Sequence, residues 1–524
     1  MSVAGKYLHK NVEFLDRSGD SSEYAGWSFN GHKNTDKVYT FEEALDLAGR
    51  GWYTYGLVAF LILALHGITL DMFGISVVLT GACDMNLTHN QKTILLSTPF
   101  AGSIVTAWPW GFAADTQGRR RALAFSLWGS FILSTLSTFS PNWIVLAVLK
   151  FGSCGFSSGT QSLGFTLLGE SCSQKLRASL IIIVSTSLII TFGSYIVIGY
   201  LILNLDVSFD LEFITFSNWR LLNLVFTLPL GLSATLLGFI YESPKYLVNA
   251  GNVKKALDTL KNITRRNGGD VSKYPVKRIV LEETKTLRME NVPLWKSLKD
   301  QTVPLFKPPL LYKTIQLFYI TAVIYSTNNG FFIWLPFVMD TFYSGYNENA
   351  TAAAGVCDMI VNSNKLDAGM ETCVGTVSEL VLWMAVAQSS VYTIINIGVF
   401  SLSRWKKSVF ISLMLFCFAC GVVIPAVTDR IASMILLEGF MISCVCISII
   451  FSYYVDMFPT SYRGMAACLG VMVARGSALV GSNLVGSYLD SHCTTSFYAW
   501  SFYVLSGVVV SWFLPPDNVK RESQ

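Results

Sequence analysis

The chain has 524 residues, of which 52% are hydrophobic and 14% charged; its mean hydropathy is +0.48 and its net charge +4. A soluble domain carries about 25% charged residues, so this composition excludes a water-soluble enzyme, whose surface would be largely apolar; lipid is the solvent that fits. The slight positive charge gives no basis for a nucleic-acid partner.

Taken in chain order, residues 1–50 are polar (Lys10, Asp16, Arg17, Asp20, Glu23) and hold no cleavable signal pattern, which predicts a cytosolic N-terminal segment. Within it Thr40-Phe-Glu-Glu43 has the capping-box spacing, predicting a short helix with Phe41, Leu45 and Ala48 on one apolar face. A bilayer core needs about 20 apolar helical residues. Twelve such runs follow: 53–80, 94–114, 122–140, 143–169, 178–203, 221–241, 314–339, 380–403, 408–428, 431–455, 465–489 and 494–516, here numbered spans 1 to 12. Lipid-facing barrel strands would be about 10 residues long and alternate in polarity, which these do not. The predicted fold is an all-α membrane protein of twelve transmembrane helices in two pseudo-symmetric six-helix bundles, 51–241 and 314–516. Residues 242–313 form a basic linker with helices expected over Val253–Arg266 and around Val280–Glu290, and 517–524 a short cytosolic tail.

Short loops predicted to face the cytosol carry Arg119, Arg120, Arg121, Lys175, Arg177, Arg404, Lys406, Lys407 and Arg463, against Lys92, Lys365 and Arg430 outside; nine basic residues against three set the orientation, both termini inside. The halves repeat. Glu170 and Arg177 after span 4 match Asp456 and Arg463 after span 10 at an offset of 286, and Gly111, Arg119 and Arg120 match Gly398, Lys406 and Lys407 at 287. Two loop signals with nearly one offset point to a duplicated six-helix unit, a transporter design.

The sharpest local motif is Gly111-Phe-Ala-Ala-Asp115-Thr-Gln-Gly118-Arg119-Arg120-Arg121. Gly118 suits a tight turn, Asp115 can accept from a neighbouring helix N-terminus, and the arginines can pair with acids or lipid phosphates. The motif resembles the loop 2–3 signature of the major facilitator superfamily. Glu242-Ser-Pro-Lys-Tyr-Leu247 resembles an element of sugar and organic-ion transporters, with Tyr241 and Lys245 in place of its usual Pro and Arg. Asp456-Met-Phe-Pro-Thr-Ser-Tyr-Arg463-Gly is similar to another, with Asp456 replacing Glu, and Glu170–Arg177 to the matching pair of loop 4–5. With Phe41–Leu47, Cys83-Asp84 and Phe332-Ile-Trp334-Leu-Pro336, the pattern looks most like the synaptic vesicle glycoprotein 2-like group, beside the organic-ion transporters, over most of 40–515. The resemblance implies the major facilitator fold, with spans 1, 4, 7 and 10 lining a central cavity and spans 3, 6, 9 and 12 peripheral. It also implies gating roles for Gly111, Asp115, Gly118, Arg119, Arg120, Glu170, Arg177, Glu242, Asp456 and Arg463. The second-half copy of the loop signature, Gly398–Lys407, lacks the Asp, which implies an asymmetric latch.

Charges inside a span are costly and are functional candidates by default. Five occur: His66, Asp71, Lys150, Glu438 and Arg475. By depth along their helices, two ion pairs are expected, Asp71–Lys150 in the first half and Glu438–Arg475 in the second; each is equally readable as a structural tie between helices. A fixed guanidinium makes Arg475 the first candidate for binding an anionic or carboxylate-bearing solute, and Glu438, Asp71 or His66 could carry a coupling proton. Asn328, Asn329, Trp334, Gln388 and Tyr392 are lining candidates, for which ordinary helix packing is the competing reading.

Residues 340–379 form the largest outer loop, with a glycosylation acceptor at Asn349 and Cys357 and Cys373 in a disulfide-permitting environment; these two are expected to pair. A bridge between Cys83 and Cys493 is the other outer possibility, opposed by the restraint it would place on the halves. No phosphate-binding Gly-x-x-x-x-Gly-Lys-Ser/Thr or His-Glu-x-x-His element occurs and no Gly-x-Ser-x-Gly element stands out, so neither enzymatic activity nor any cofactor or metal is expected. The expected partners are the bilayer, a small organic solute and a coupling proton or other ion, for a monomer in the plasma membrane or a vesicle membrane. The competing reading is a non-transporting membrane protein that keeps the fold and binds partners as a receptor or scaffold.

Overall fold

The computed structural model describes residues 38–205, 207–211, 214–280, 302–347, 375–402, 405–458, 460–489 and 491–516, with Lys299 and Cys357 as isolated positions. Each predicted span is a helical rod. Span 1 is Trp52–Phe73 continued by Ile75–Gly81, span 2 His89–Gln117, span 3 Arg119–Ser137, span 4 Trp143–Ser171, span 5 Gln174–Leu203 and span 6 Asn218–Leu236. Span 7 is Leu310–Asn347, span 8 Glu379–Ser401, span 9 Lys406–Val423, span 10 Arg430–Met441 and Cys446–Met457 joined by a 3-10 turn, span 11 Thr460–Tyr488 and span 12 Cys493–Ser511. Among the described residues, eight helices are long and apolar enough to cross a membrane.

The ends of the rods follow local chemistry. Thr88 and Gln91 form a capping box that starts span 2, and the Asn142 and Asp429 side chains cap spans 4 and 10. Inside the rods, Thr69, Thr98, Ser103 and Thr191 donate to carbonyls four residues back, which leaves their hydroxyls satisfied without water.

Spans 1–6 and 7–12 form two bundles. Span 5 packs along span 8 and span 2 along span 11, and these two contacts are the seam between halves; spans 3 with 6 and 9 with 12 pack on the flanks. One end of the assembly carries the linker; the other, the far end, carries Cys357 bonded to Cys493. At the linker end, the predicted amphipathic helix Phe41–Leu47 forms with its capping box complete and buries Phe41, Ala44 and Leu45. These join Leu260, Ile263, Tyr274 and Ile279 of the linker in one apolar cluster with spans of the first half.

Short strands are features the apolar runs did not reveal. Strand β1 (Val38–Thr40) pairs in parallel with β4 (Arg278–Val280), and β2 (Ser208–Leu211) pairs antiparallel with β3 (Ile214–Ser217) between spans 5 and 6. The helix expected around Val280–Glu290 is corrected at its start: Val280 is in a strand, held by pairing with the N-terminal segment, while 281–290 lie outside the described residues.

The cysteine pairing is also corrected. Cys357 is bonded to Cys493, with Cα atoms 5.4 Å apart, so neither Cys357–Cys373 nor Cys83–Cys493 forms. Cys493 opens span 12 at the far end and is bonded to a residue 136 positions earlier in the chain; proximity in sequence was a poor guide. Cys83 is disulfide-bonded as well, and Cys373 and Asn349 lie outside the described residues. Digestion of unreduced protein should therefore yield a peptide containing Cys357 linked to one containing Cys493; recovery of Cys493 as a free thiol would refute the pairing.

Candidate functional site

The five intramembrane charges divide into one closed pair and three separate groups. Lys150 on span 4 lies 2.6 Å from Asp71 on span 1, and both side chains are at most 1% exposed. Ser134 of span 3 and Ser153 of span 4 donate to the two Asp71 carboxyl oxygens, and Lys150 also reaches the Ser134 hydroxyl at 3.3 Å. These donors come from spans 3 and 4, so the buried carboxylate of span 1 links three helices of the first bundle. His66, one and a half turns earlier, instead meets Thr191 of span 5 at 2.8 Å.

The expected Glu438–Arg475 pair is absent. Arg475 turns across the seam, where its guanidinium donates to the Gln161 side-chain oxygen of span 4 and contacts the Met72 sulfur of span 1 at 3.0 Å. Among the described residues no carboxylate joins it. Glu438 turns toward spans 5, 7 and 8. Both its carboxyl oxygens are buried and accept no hydrogen bond. Its polar neighbours are Gln388 and Tyr392, but the Tyr392 hydroxyl donates to the Glu438 main-chain carbonyl at 2.5 Å, and the Gln388 amide points to the Tyr392 oxygen at 3.5 Å. Depth along a helix brought Glu438 and Arg475 to similar levels; rotation about the helix axes sends them to different neighbours.

The other lining candidates spread along the seam. Trp334 on span 7 donates to the Ser482 carbonyl of span 11 at 3.0 Å and stacks on His89 at the start of span 2; His89 in turn meets the Gly486 carbonyl at 2.7 Å. Phe192 of span 5 stacks on Phe332 of span 7, ring centres 4.5 Å apart. Asn328 and Asn329 are buried, and the Asn328 amide has no hydrogen-bond partner. Asn396 of span 8 donates to Thr186 of span 5 at 3.1 Å. Gln161, Met72, His89, Phe192 and Ser153 were not singled out in the sequence, because nothing in their spacing sets them apart from the other residues in and beside the apolar runs.

At the linker end, the motif residues make one network. Arg119 lies 3.1 Å from Glu170, donates to the Ala114 carbonyl at 2.9 Å and sits over the Tyr246 ring. Ser243 donates to Glu170 at 2.5 Å and caps the helix Pro244–Asn249, while Glu242 accepts from the Arg120 main-chain N–H at 3.0 Å. Gly118 has φ +103°, and a Cβ there would lie 2.5 Å from the Glu242 carboxylate. Arg177 pairs with Glu42 of the N-terminal helix, at 3.0 and 3.1 Å, and not with Glu170 of its own loop. The side chains of Asp115, Asp456 and Arg463 lie outside the described residues. Burial pushes the Tyr274 hydroxyl of the linker well above its ordinary range, and it donates to the Ala44 carbonyl at 2.7 Å.

Two bundles of six rods, meeting along a polar seam, define a membrane transporter architecture. The Major Facilitator Superfamily profile matches residues 59–482, and the chain belongs to that family; it is a multi-pass membrane protein close to the synaptic vesicle glycoprotein 2-like group. It is 23% identical to a Synaptic vesicle 2-related protein of Pongo abelii over 453 residues, 85% of this chain and 75% of that one. A Synaptic vesicle 2-related protein of Xenopus laevis is 30% identical over 235 residues, 45% of this chain; the match spans only 41% of that relative's length. Organic cation/carnitine transporter 7 of Arabidopsis thaliana is 23% identical, covering 83% of this chain and 86% of that one. In fold it is similar to the xylose transporter XylE from E. coli, in a partially occluded inward-open conformation, with a TM-score of 0.59 at 13% identity, covering 89% of this chain and 99% of that one.

Proposed function

We propose that the chain is a secondary active transporter that moves a small organic ionic solute, one bearing a carboxylate, by rocking its two bundles about the seam. The observation that carries this reading is Arg475: a guanidinium from one bundle projects to the other, held by Gln161 and Met72 with no acid beside it among the described residues. A charge left so is costly in a membrane interior, and a solute carboxylate would complete its bidentate donor set. The contacts across the seam also suit alternation, since His89–Gly486 and His89–Trp334 are single polar or stacking contacts that can break as a unit. The linker end faces the cytosol in this reading, as the basic loops require, and the names of the vesicle-protein relatives favour a vesicle membrane.

Purified protein in liposomes should show saturable uptake of one or more small carboxylates. Arg475→Ala should abolish it while leaving the melting temperature near that of the wild type. Uptake that survives Arg475→Ala overturns the role of Arg475; capture of a specific soluble partner with no uptake of any solute favours the receptor or scaffold reading. An imposed pH gradient in the same liposomes reads whether a proton moves with the solute.

A further inference from the structure

Span 6 ends in a 3-10 turn, Leu237–Phe239, and two arginines from distant segments converge on its carbonyls. Arg120, at the start of span 3, donates to Leu237 at 3.4 Å and to Gly238 at 3.1 Å. Arg266 closes the linker helix Val253–Arg266; it donates to Phe239 at 2.6 Å and lies over the Tyr241 ring. We infer that the two arginines form a binding site for an anionic phospholipid of the leaflet at the linker end, their guanidiniums taking its phosphate while its acyl chains lie along span 6 over Phe239. The site is separate from the one assigned to the solute.

Charge, room and depth support it. A helix C-terminus carries the equivalent of about half a negative charge, and here two full positive charges are set against it. Among the described residues no carboxylate reaches either guanidinium. Glu170 is taken by Arg119 and Ser243, and Glu242 accepts from the main-chain N–H groups of Arg120 and Ser243. Capping of a helix end by basic side chains explains each contact but leaves the surplus charge unanswered. The carbonyls engage only part of each guanidinium's donor set, and phosphate oxygens match the remaining fork bidentately. Space is open beside the turn: a Cβ on Gly238 would meet nothing within 4 Å, and Arg266 is exposed. The turn also sits where a rod leaves the hydrocarbon. Asn218–Phe239 is long and apolar enough to cross a membrane, and Phe239, its last residue, is 66% exposed. Trp52, 85% exposed, starts span 1 at the same end, next to Gly51, where a Cβ would strike the Asn267 main chain. Exposed aromatic rings at rod ends mark the headgroup layer, and basic residues at that level attract anionic lipid.

The test uses the purified full-length protein in uncharged detergent, titrated with phosphatidylglycerol or with phosphatidylcholine of the same chains. Melting temperature and the lipid retained in native mass spectrometry are both read. Phosphatidylglycerol should stay bound and raise the melting temperature; phosphatidylcholine at the same concentration should do neither. Arg120→Gln/Arg266→Gln should weaken phosphatidylglycerol retention by about tenfold or more, since each basic residue at a membrane surface contributes several-fold to anionic-lipid attraction. Lys261→Gln/Arg265→Gln removes the same charge from exposed positions of the same helix and should leave retention unchanged. If the first double variant melts too low to measure, Arg120→Lys/Arg266→Lys keeps the charge, loses the planar fork and should weaken retention several-fold. Equal retention of the two lipids, full retention in either arginine-pair variant, or an equal loss in Lys261→Gln/Arg265→Gln would each overturn the inference. So would displacement of the lipid by inorganic phosphate, which would mark a site for soluble anions.

Discussion

Lys150→Met should destabilise the protein by about 3–5 kcal/mol, because it strands the Asp71 carboxylate in a space with almost no solvent contact. Ser134 and Ser153 would remain as donors, but two hydroxyls do not neutralise a charge. The double variant Asp71→Asn/Lys150→Met should recover most of the loss, since replacing a buried pair with neutral groups of similar volume is often close to neutral. The measurement is a melting curve of each protein in the same detergent. A Lys150→Met protein that melts with the wild type would show that the pair contributes nothing and that water reaches Asp71. The cycle also separates structure from transport: if the double variant is stable yet inactive, the pair takes part in the conformational cycle.

Two glycines of one motif should respond in opposite directions. At Gly118 the backbone is left-handed and a Cβ would push into Glu242, so Gly118→Ala should cost about 1–2 kcal/mol from conformation alone. The displaced Glu242 would also release the Arg120 and Ser243 N–H groups, adding to the loss. Gly111 lies inside the span 2 helix with nothing within 4 Å of a Cβ, so Gly111→Ala should raise stability by up to about 1 kcal/mol. Melting curves decide both. A destabilised Gly111→Ala would contradict the open surroundings seen at that position, whereas unchanged stability with lost uptake would mark Gly111 as a point of close approach in another conformation.

The rods were legible because hydrocarbon thickness imposes a length on every apolar run, and the duplicated loop signals supplied the division into halves. Their ends were less so. Span 7 extends as a helix over Leu310–Asn347, well past the apolar core of 314–339, since a helix may continue into water where hydropathy gives no sign of it. The partners of charged residues were legible only where one arrangement was available. Asp71 and Lys150 share a bundle and meet; Glu438 and Arg475 share a depth and part, because nothing in the spacing fixed which way each helix turns. Glu170 and Arg177 look paired in sequence, yet each is taken by a residue from a distant segment, Arg119 and Glu42. Strands as short as Val38–Thr40 and Arg278–Val280 leave no periodicity to read.

The joint between the first 50 residues and the linker has a practical side. Asn267 accepts from the Thr54 main chain and donates to the Ala48 and Gly49 carbonyls, just where span 1 begins. A deletion that starts the chain at span 1 would uncover Tyr274 and Ile279, break strand pairing and leave Arg177 without Glu42, so such a shortened protein would report on folding rather than on regulation by a tail.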